Sequence, residues 1–161
     1  MSAARIAQLS ESDWQLFAAV RLRALTDSLP AADPQYRQEA SFTAAQWRRR
    51  LRDHAQFAAL IGDRPVGLIG AQQENTETVY LYSLWLDPDA RGHGLGRQLV
   101  ACCIDFARDA GYARLVLWTN EPLAAARHLY LDADFTLTGE ERHREFGAEV
   151  LGQSYALDLT P

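Results

Sequence analysis

The chain has 161 residues, of which 48% are apolar and 23% charged, with a formal net charge of −5. That length gives one domain with a substantial core, and the acidic balance, with no dominant basic surface, argues against nucleic acid as a main partner. No run approaches the roughly 18 apolar residues that a membrane span needs, and the first residues, Met1 to Gln8, contain no apolar signal core, so a cytoplasmic protein is expected, away from membranes.

Arg5 to Leu9 reads as a first strand. Glu11 to Thr26 follows as a helix, with Ser10 or Ser12 as its cap and Trp14, Phe17, Ala18, Leu22 and Leu25 at helical spacing. Ser28 to Ser41 contains Pro30 and Pro34 and reads as loop. Thr43 to Asp53 is a second helix with Trp47 and Leu51 on one face. Phe57 to Ile61 and Val66 to Gln72 are strands joined by the turn Gly62 to Pro65, and Thr78 to Leu86 is a third strand after the polar turn Glu74 to Glu77. Leu95 to Ala110 is an amphipathic helix ended by Gly111 as C-cap. Arg114 to Trp118 is a strand, Ala124 to Leu131 a helix, Phe135 to Thr138 the start of another strand, and Ser154 to Leu159 the last. Cys102 and Cys103 are adjacent on a helix, where neighbours point about 100° apart and do not bond to each other; with no metal-ligand spacing present, they read as reduced thiols, and no metal is expected. The pattern is mixed α/β: an antiparallel meander ahead of a βαβ unit.

The chemistry concentrates after the third meander strand, in Leu84-Trp85-Leu86-Asp87-Pro88-Asp89-Ala90-Arg91-Gly92-His93-Gly94-Leu95-Gly96-Arg97. Glycines without a Cβ let backbone N–H groups converge, and the helix behind them adds the positive end of its dipole, which makes a seat for an anion such as a pyrophosphate. The dinucleotide fingerprint G-x-G-x-x-G fails, because Arg97 stands where its last glycine belongs. A P-loop fails because the chain contains no lysine.

Arg91-Gly92-His93-Gly94-Leu95-Gly96 fits Arg/Gln-x-x-Gly-x-Gly/Ala and resembles the acyl-CoA signature of the GNAT superfamily of N-acetyltransferases. Trp118-Thr119-Asn120, Ala124 to Tyr130 and Ala133-Asp134-Phe135 resemble its second motif, Asn-x-x-Ala-x-x-Leu/Phe-Tyr followed by Gly-Phe. The resemblance runs from Arg5 to Leu159 and is most specific over residues 84 to 100. It implies a single-domain α/β fold with a mixed, mostly antiparallel central sheet, a splayed strand pair and flanking helices, and acetyl-CoA as co-substrate. By resemblance, the pantetheine arm lies against the backbone of Leu84, Trp85 and Leu86 on a bulged strand. The pyrophosphate meets Arg91, Gly92, His93, Gly94, Leu95, Gly96 and Arg97. Asn120 bonds the pantetheine, small Ala126 admits the cofactor, and Tyr130 is the general acid for the departing thiolate.

Three departures stand out. Asn120 and Tyr130 are ten residues apart where seven is usual, so the segment holding Glu121-Pro122-Leu123 is longer. Asp134 replaces a glycine that serves a left-handed turn; aspartate tolerates that conformation better than most residues. Leu115 stands where some members carry a glutamate base, which leaves Glu74, Glu77, Glu39, His128 or a chain of waters to deprotonate the amine. The acceptor side is expected from Leu25 to Phe42, with Tyr36, Glu39, Phe42 and Trp47 lining it, and from the connection Glu140 to Ser154. Trp85 limits acyl length if it faces the site. Two functions follow: an acetyltransferase acting on a primary amine of a small molecule or peptide, or a non-catalytic acyl-CoA-binding module. Folds of this type are commonly dimeric, so a homodimer is one expected assembly.

Overall fold

The computed structural model describes residues 4–29, 33–119, 124–145 and 147–160. In chain order these form β1 (Ala4–Gln8), α1 (Trp14–Ser28), α2 (Gln35–Ala40), α3 (Ala44–Asp53), β2 (Ala55–Ile61), β3 (Arg64–Gln73), β4 (Thr78–Leu86), α4 (Leu95–Asp109), β5 (Arg114–Thr119), α5 (Ala124–Asp132), β6 (Thr136–Glu145) and β7 (Ala148–Asp158). Single 3-10 turns at Glu11–Asp13 and Pro88–Ala90 lead into α1 and follow β4. The seven strands form one sheet in the order β1-β2-β3-β4-β5-β7-β6. β4 and β5 run parallel because the helix α4 carries the chain back between them; β1–β2, β5–β7 and β6–β7 pair antiparallel.

The chain gathers into two compact units. The first reaches to Gly70 and takes in Ser83–Leu99. Its core packs Phe17, Val20 and Ala24 of α1, Trp47 and Leu51 of α3, Ala58 and Leu68 of the sheet, and Trp85 of β4. Phe17 meets Trp47 edge-on with ring centroids 5.5 Å apart, an arrangement the ring quadrupoles favour. The Thr43 side chain caps α3 by accepting from the Gln46 N–H, while the Gln46 side chain accepts from the Thr43 N–H, a reciprocal box that satisfies two orphan donors. The second unit comprises Ala71–Tyr82 and the chain from Val100 onward. Val79, Leu81, Cys103, Ala107, Leu115, Leu117, Tyr130, Phe135 and Tyr155 are all buried there. Both cysteines are unbonded thiols, as the sequence suggests, and burial pushes Cys103 far above the ordinary thiol range, so it stays protonated and inert.

Two stretches differ from the sequence reading. Ser28 to Ser41 is not all loop: Gln35–Ala40 is helical, with Pro34 just ahead of it, where a missing N–H costs nothing, and Asp33 accepting from the Gln35 N–H. A helix of six residues whose one buried side chain is a glutamate carries no apolar stripe to reveal it. Glu140 to Ser154 is not a connection either. It is most of a long hairpin, Thr136–Glu145 paired with Ala148–Asp158, with a bulge between Leu137 and Gly139. β6 closes one edge of the sheet, and its charged run, Glu140 to Arg144, keeps that edge from pairing with other chains. The hairpin turn from β2 to β3 is also tighter than expected, since Arg64 and Pro65 already belong to β3.

Gly152 on β7 is required for packing. A Cβ there would sit 2.1 Å from Cζ2 of Trp118 on β5, inside any real contact distance. Gly152→Ala is therefore expected to lower the unfolding free energy by about 1–3 kcal/mol, measured by urea titration of tryptophan fluorescence.

Candidate active site

The first half of the site grows from the end of β4. The β4–β5 register runs from Thr78 opposite Arg114 to Leu81 opposite Leu117, and β4 then continues to Leu86. Just beyond that register, Ser83 adopts φ +58, a left-handed conformation inside a strand. For a residue with a Cβ this costs about 1–2 kcal/mol, so something must hold it there. Where the resemblance implies a bulged strand, the structure shows a left-handed residue, Ser83, one position before Leu84. Trp85 is buried in the first unit's core, and its indole N–H donates to Asp27 at 2.8 Å. That contact fixes which way the indole faces: toward α1.

Asp87 ends the strand. Its N–H donates to the Val66 carbonyl at 2.8 Å, and its carboxylate accepts from the Asp89 N–H and from the guanidinium groups of Arg23 and Arg64. The 3-10 turn then delivers Arg91, which donates from Nε to the Leu86 carbonyl at 3.0 Å and from its terminal nitrogen to Asp27 at 2.9 Å. Asp27 thus ties the Trp85 indole to the arginine that opens the glycine loop. The Trp85 hydrogen bond, and after it Arg91, hold the Asp27 carboxyl below its ordinary range. Arg91, expected beside the pyrophosphate, spends these side-chain contacts on positioning the loop.

Gly92 and Gly94 follow at φ +83 and +81. Both are exposed, with open space where a Cβ would be, so these glycines serve backbone conformation and access, not packing. Leu95 begins α4 and is buried, while His93 and Arg97 are exposed. The Gly94 carbonyl accepts from the Gln98 N–H at 3.1 Å, an i to i−4 bond at the start of α4. Glycines at positive φ ahead of the N-terminus of a fifteen-residue helix fit a pyrophosphate.

Tyr130, the expected catalytic residue, belongs to the other unit. Tyr130 on α5 is 8% exposed. Its ring lies 6.1 Å from that of Phe135 and 5.3 Å from that of Tyr155. Among the described residues its hydroxyl has no hydrogen-bond partner, whereas the Tyr155 hydroxyl donates to Gln153 at 2.8 Å. Burial, with lesser contributions from Tyr155 and Tyr80, pushes the Tyr130 phenol up to about 12. The helix behind it ends in a left-handed cap: Asp134 adopts φ +71, and the Phe135 N–H returns to the Tyr130 carbonyl at 3.0 Å. Aspartate does occupy the glycine conformation here. Ala126 falls within α5, and Asn120 and the side chain of Ala126 lie outside the described residues.

The candidate bases differ sharply. Glu39 is 4% exposed and accepts from Arg21 through both oxygens, at 3.0 and 3.1 Å, from Arg50 at 2.7 Å and from Gln35 at 2.9 Å. Burial opposes its ionisation, but the arginine and glutamine contacts win and hold its carboxyl below the ordinary value. It is a structural anion and a poor base. Glu74, Glu77 and His128 are exposed, Glu77 with Arg114 at 3.5 Å, and Leu115 is fully buried. On the expected acceptor side, Trp47 is core, packed by Phe17 and Phe42, so it lines nothing. Tyr36 is 43% exposed and, with Leu22, Arg23, Asp27 and Trp85, borders a cleft of about 470 Å3 within the first unit. The sequence reading missed Arg21 and Asp27. The available signal was a charge beside an apolar stripe, since Arg21 falls four residues after Phe17 and three before Ala24.

Residues 21–135 match the model of the acetyltransferase (GNAT) family. The chain belongs to that family. Human N-acetyltransferase 8B is 34% identical over 83 residues, covering 48% of this chain and 37% of that protein. Mycothiol acetyltransferase of Cellulomonas flavigena is 36% identical over 69 residues, covering 43% of this chain and 19% of that protein. The chain thus spans less than half the length of these curated relatives. A GNAT-family acetyltransferase from Streptococcus pneumoniae superposes with a TM-score of 0.81 at 16% identity, over 97% of this chain and 99% of that one. YncA of Salmonella typhimurium, solved with its cofactor acetyl-CoA, gives 0.76 at 20% identity over 99% and 96%. These superpositions carry the fold. Among the described residues, no group of three or more His, Cys, Asp or Glu side chains is placed to hold a metal ion, and no helix is long and apolar enough to cross a membrane.

The cap beneath Tyr130 gives a direct test. Asp134→Gly removes the left-handed cost and is expected to raise the unfolding free energy by up to about 1 kcal/mol, whereas Asp134→Val lowers it by about 1–2 kcal/mol. Chemical denaturation of the two variants measures both.

Proposed function

We propose that the protein is an N-acetyltransferase that uses acetyl-CoA to acetylate a primary amine by direct attack, with Tyr130 acting on the departing sulfur. The observation that carries this reading is Tyr130: its side chain is largely buried, its phenol stays protonated, and its hydroxyl makes no hydrogen bond to another described residue. Family membership supplies the co-substrate, and the open glycine loop fits its pyrophosphate. Acetyl-CoA supplies the activated acyl carbon as a thioester.

In this reading the amides from Gly92 to Arg97 seat the pyrophosphate, and the β4 backbone from Leu84 to Leu86 lies along the pantetheine. Asn120 and Ala126 remain in the roles that the resemblance gives them. As the new amide bond forms and the carbon–sulfur bond breaks, negative charge gathers on sulfur and the nitrogen sheds a proton. A phenol raised to about 12 does not surrender its proton fully to a thiolate with an ordinary thiol value of about 8.5. Tyr130 therefore stabilises the sulfur by donating a hydrogen bond and keeps its own proton, while the proton lost by nitrogen reaches sulfur through solvent. Because Glu39 is locked between arginines, amine deprotonation falls to an exposed carboxylate, His128 or water.

The test is thiol release from acetyl-CoA against a panel of amines, together with CoA binding by calorimetry. Turnover on at least one amine is expected. Tight CoA binding with no turnover on any amine would favour the non-catalytic module, and no CoA binding would sink both. Tyr130→Phe is expected to lower kcat by about 100-fold while the Kd for CoA stays within about twofold. Since the phenol remains protonated to about 12, kcat of the wild type should show no falling limb up to about pH 10. A falling limb below that pH that disappears in Tyr130→Phe would contradict the role given to Tyr130.

A further inference from the structure

The left-handed residue in β4 is contacted by a part-buried ionic chain that the proposed chemistry does not use. Arg21 of α1 donates through one terminal nitrogen to the Ser83 hydroxyl at 2.8 Å. Its other two donors grip both oxygens of Glu39 on α2. The Arg21 side chain is 12% exposed and that of Glu39 is 5% exposed. Arg50 of α3 and Gln35 of α2 complete the shell around Glu39. Every residue involved belongs to the first unit. A bidentate guanidinium–carboxylate pair is planar and directional, so it fixes where the third donor of Arg21 points. That donor points at Ser83, the one non-glycine strand residue at positive φ among the described residues.

We infer that Glu39 and Arg21 are positioning residues that clamp Ser83 in its left-handed conformation and so set the course of Leu84 to Leu86 along the co-substrate. The inference rests on the reading above, in which that backbone lies along the pantetheine. Without the clamp, Ser83 relaxes toward ordinary extended geometry, because a side chain with a Cβ disfavours positive φ. The following residues then lose the path on which binding depends. The charged shell is not generic core filling: apolar side chains of the same volume would pack as well but supply no donor to Ser83.

Two substitutions at one position separate conformation from contact. Ser83→Ala removes the hydroxyl and keeps the Cβ, whereas Ser83→Gly removes the hydroxyl and makes positive φ easy. The expected result is that Ser83→Ala raises the Kd for CoA, and the KM for acetyl-CoA, about tenfold with kcat changed less than about twofold, and that Ser83→Gly recovers most of that loss. Glu39→Gln should weaken CoA binding as Ser83→Ala does, and Ser83→Gly added to it should restore binding. Far-UV circular dichroism and thermal melts confirm folding, and should Glu39→Gln fail to fold, the two Ser83 variants decide alone. If Ser83→Ala binds CoA like the wild type, or if both Ser83 variants weaken binding equally, the inference is wrong while the acetyltransferase reading stands. If the wild type does not bind CoA, the acetyltransferase reading itself falls and takes the inference with it.

Discussion

The structure turns on one backbone constraint in β4. A strand that is paired with β5 as far as Leu81 carries Ser83 at φ +58 two residues later, then sends Trp85 into a core made by α1 and α3. Ordinary strand geometry would continue the ladder. In the proposed reading the backbone that follows lies along the pantetheine. A strained residue persists only where its surroundings over-determine it. Here those surroundings are Arg21, Glu39 and Arg50, contributed by three helices.

The same helices hold the loop after the strand. Asp27, at the far end of α1, accepts from both the Trp85 indole and Arg91, while Arg23 reaches Asp87 and the carbonyl of Pro65. α1 thus meets the β4 segment three times: at Ser83, at Trp85 and at Asp87. The signature arginine spends its charge within the protein, so in the proposed reading anion binding falls to backbone amides, which need no titrating group.

Tyr130 illustrates a different use of burial. Its ring sits against Phe135 and Tyr155, and the low-dielectric surroundings raise the phenol to about 12. A group so reluctant to ionise is a durable hydrogen-bond donor and a poor proton donor. Its position depends on the α5 cap, where Asp134 takes a conformation usually left to glycine so that the chain can turn into Phe135 and β6.

The sequence alone determined the family, the order of most elements and both motif segments. Glycine spacing, amphipathic periodicity and strand alternation are local, and each leaves its mark within a few residues. It also anticipated a left-handed Asp134, because the residue type at a turn carries its own conformational preference. It did not reveal α2, whose buried residue is charged, or the length of the β6–β7 hairpin, whose edge position favours the polar residues that loops also favour. Nor did it separate a base from a structural anion at Glu39. That distinction lay in Arg21, eighteen residues before it, and in Arg50, eleven after it, and only the packing of three helices brought the three charges together. Local pattern encodes which elements form. Long-range contact decides which polar side chains are left to do chemistry, because a charge's role depends on what neutralises it.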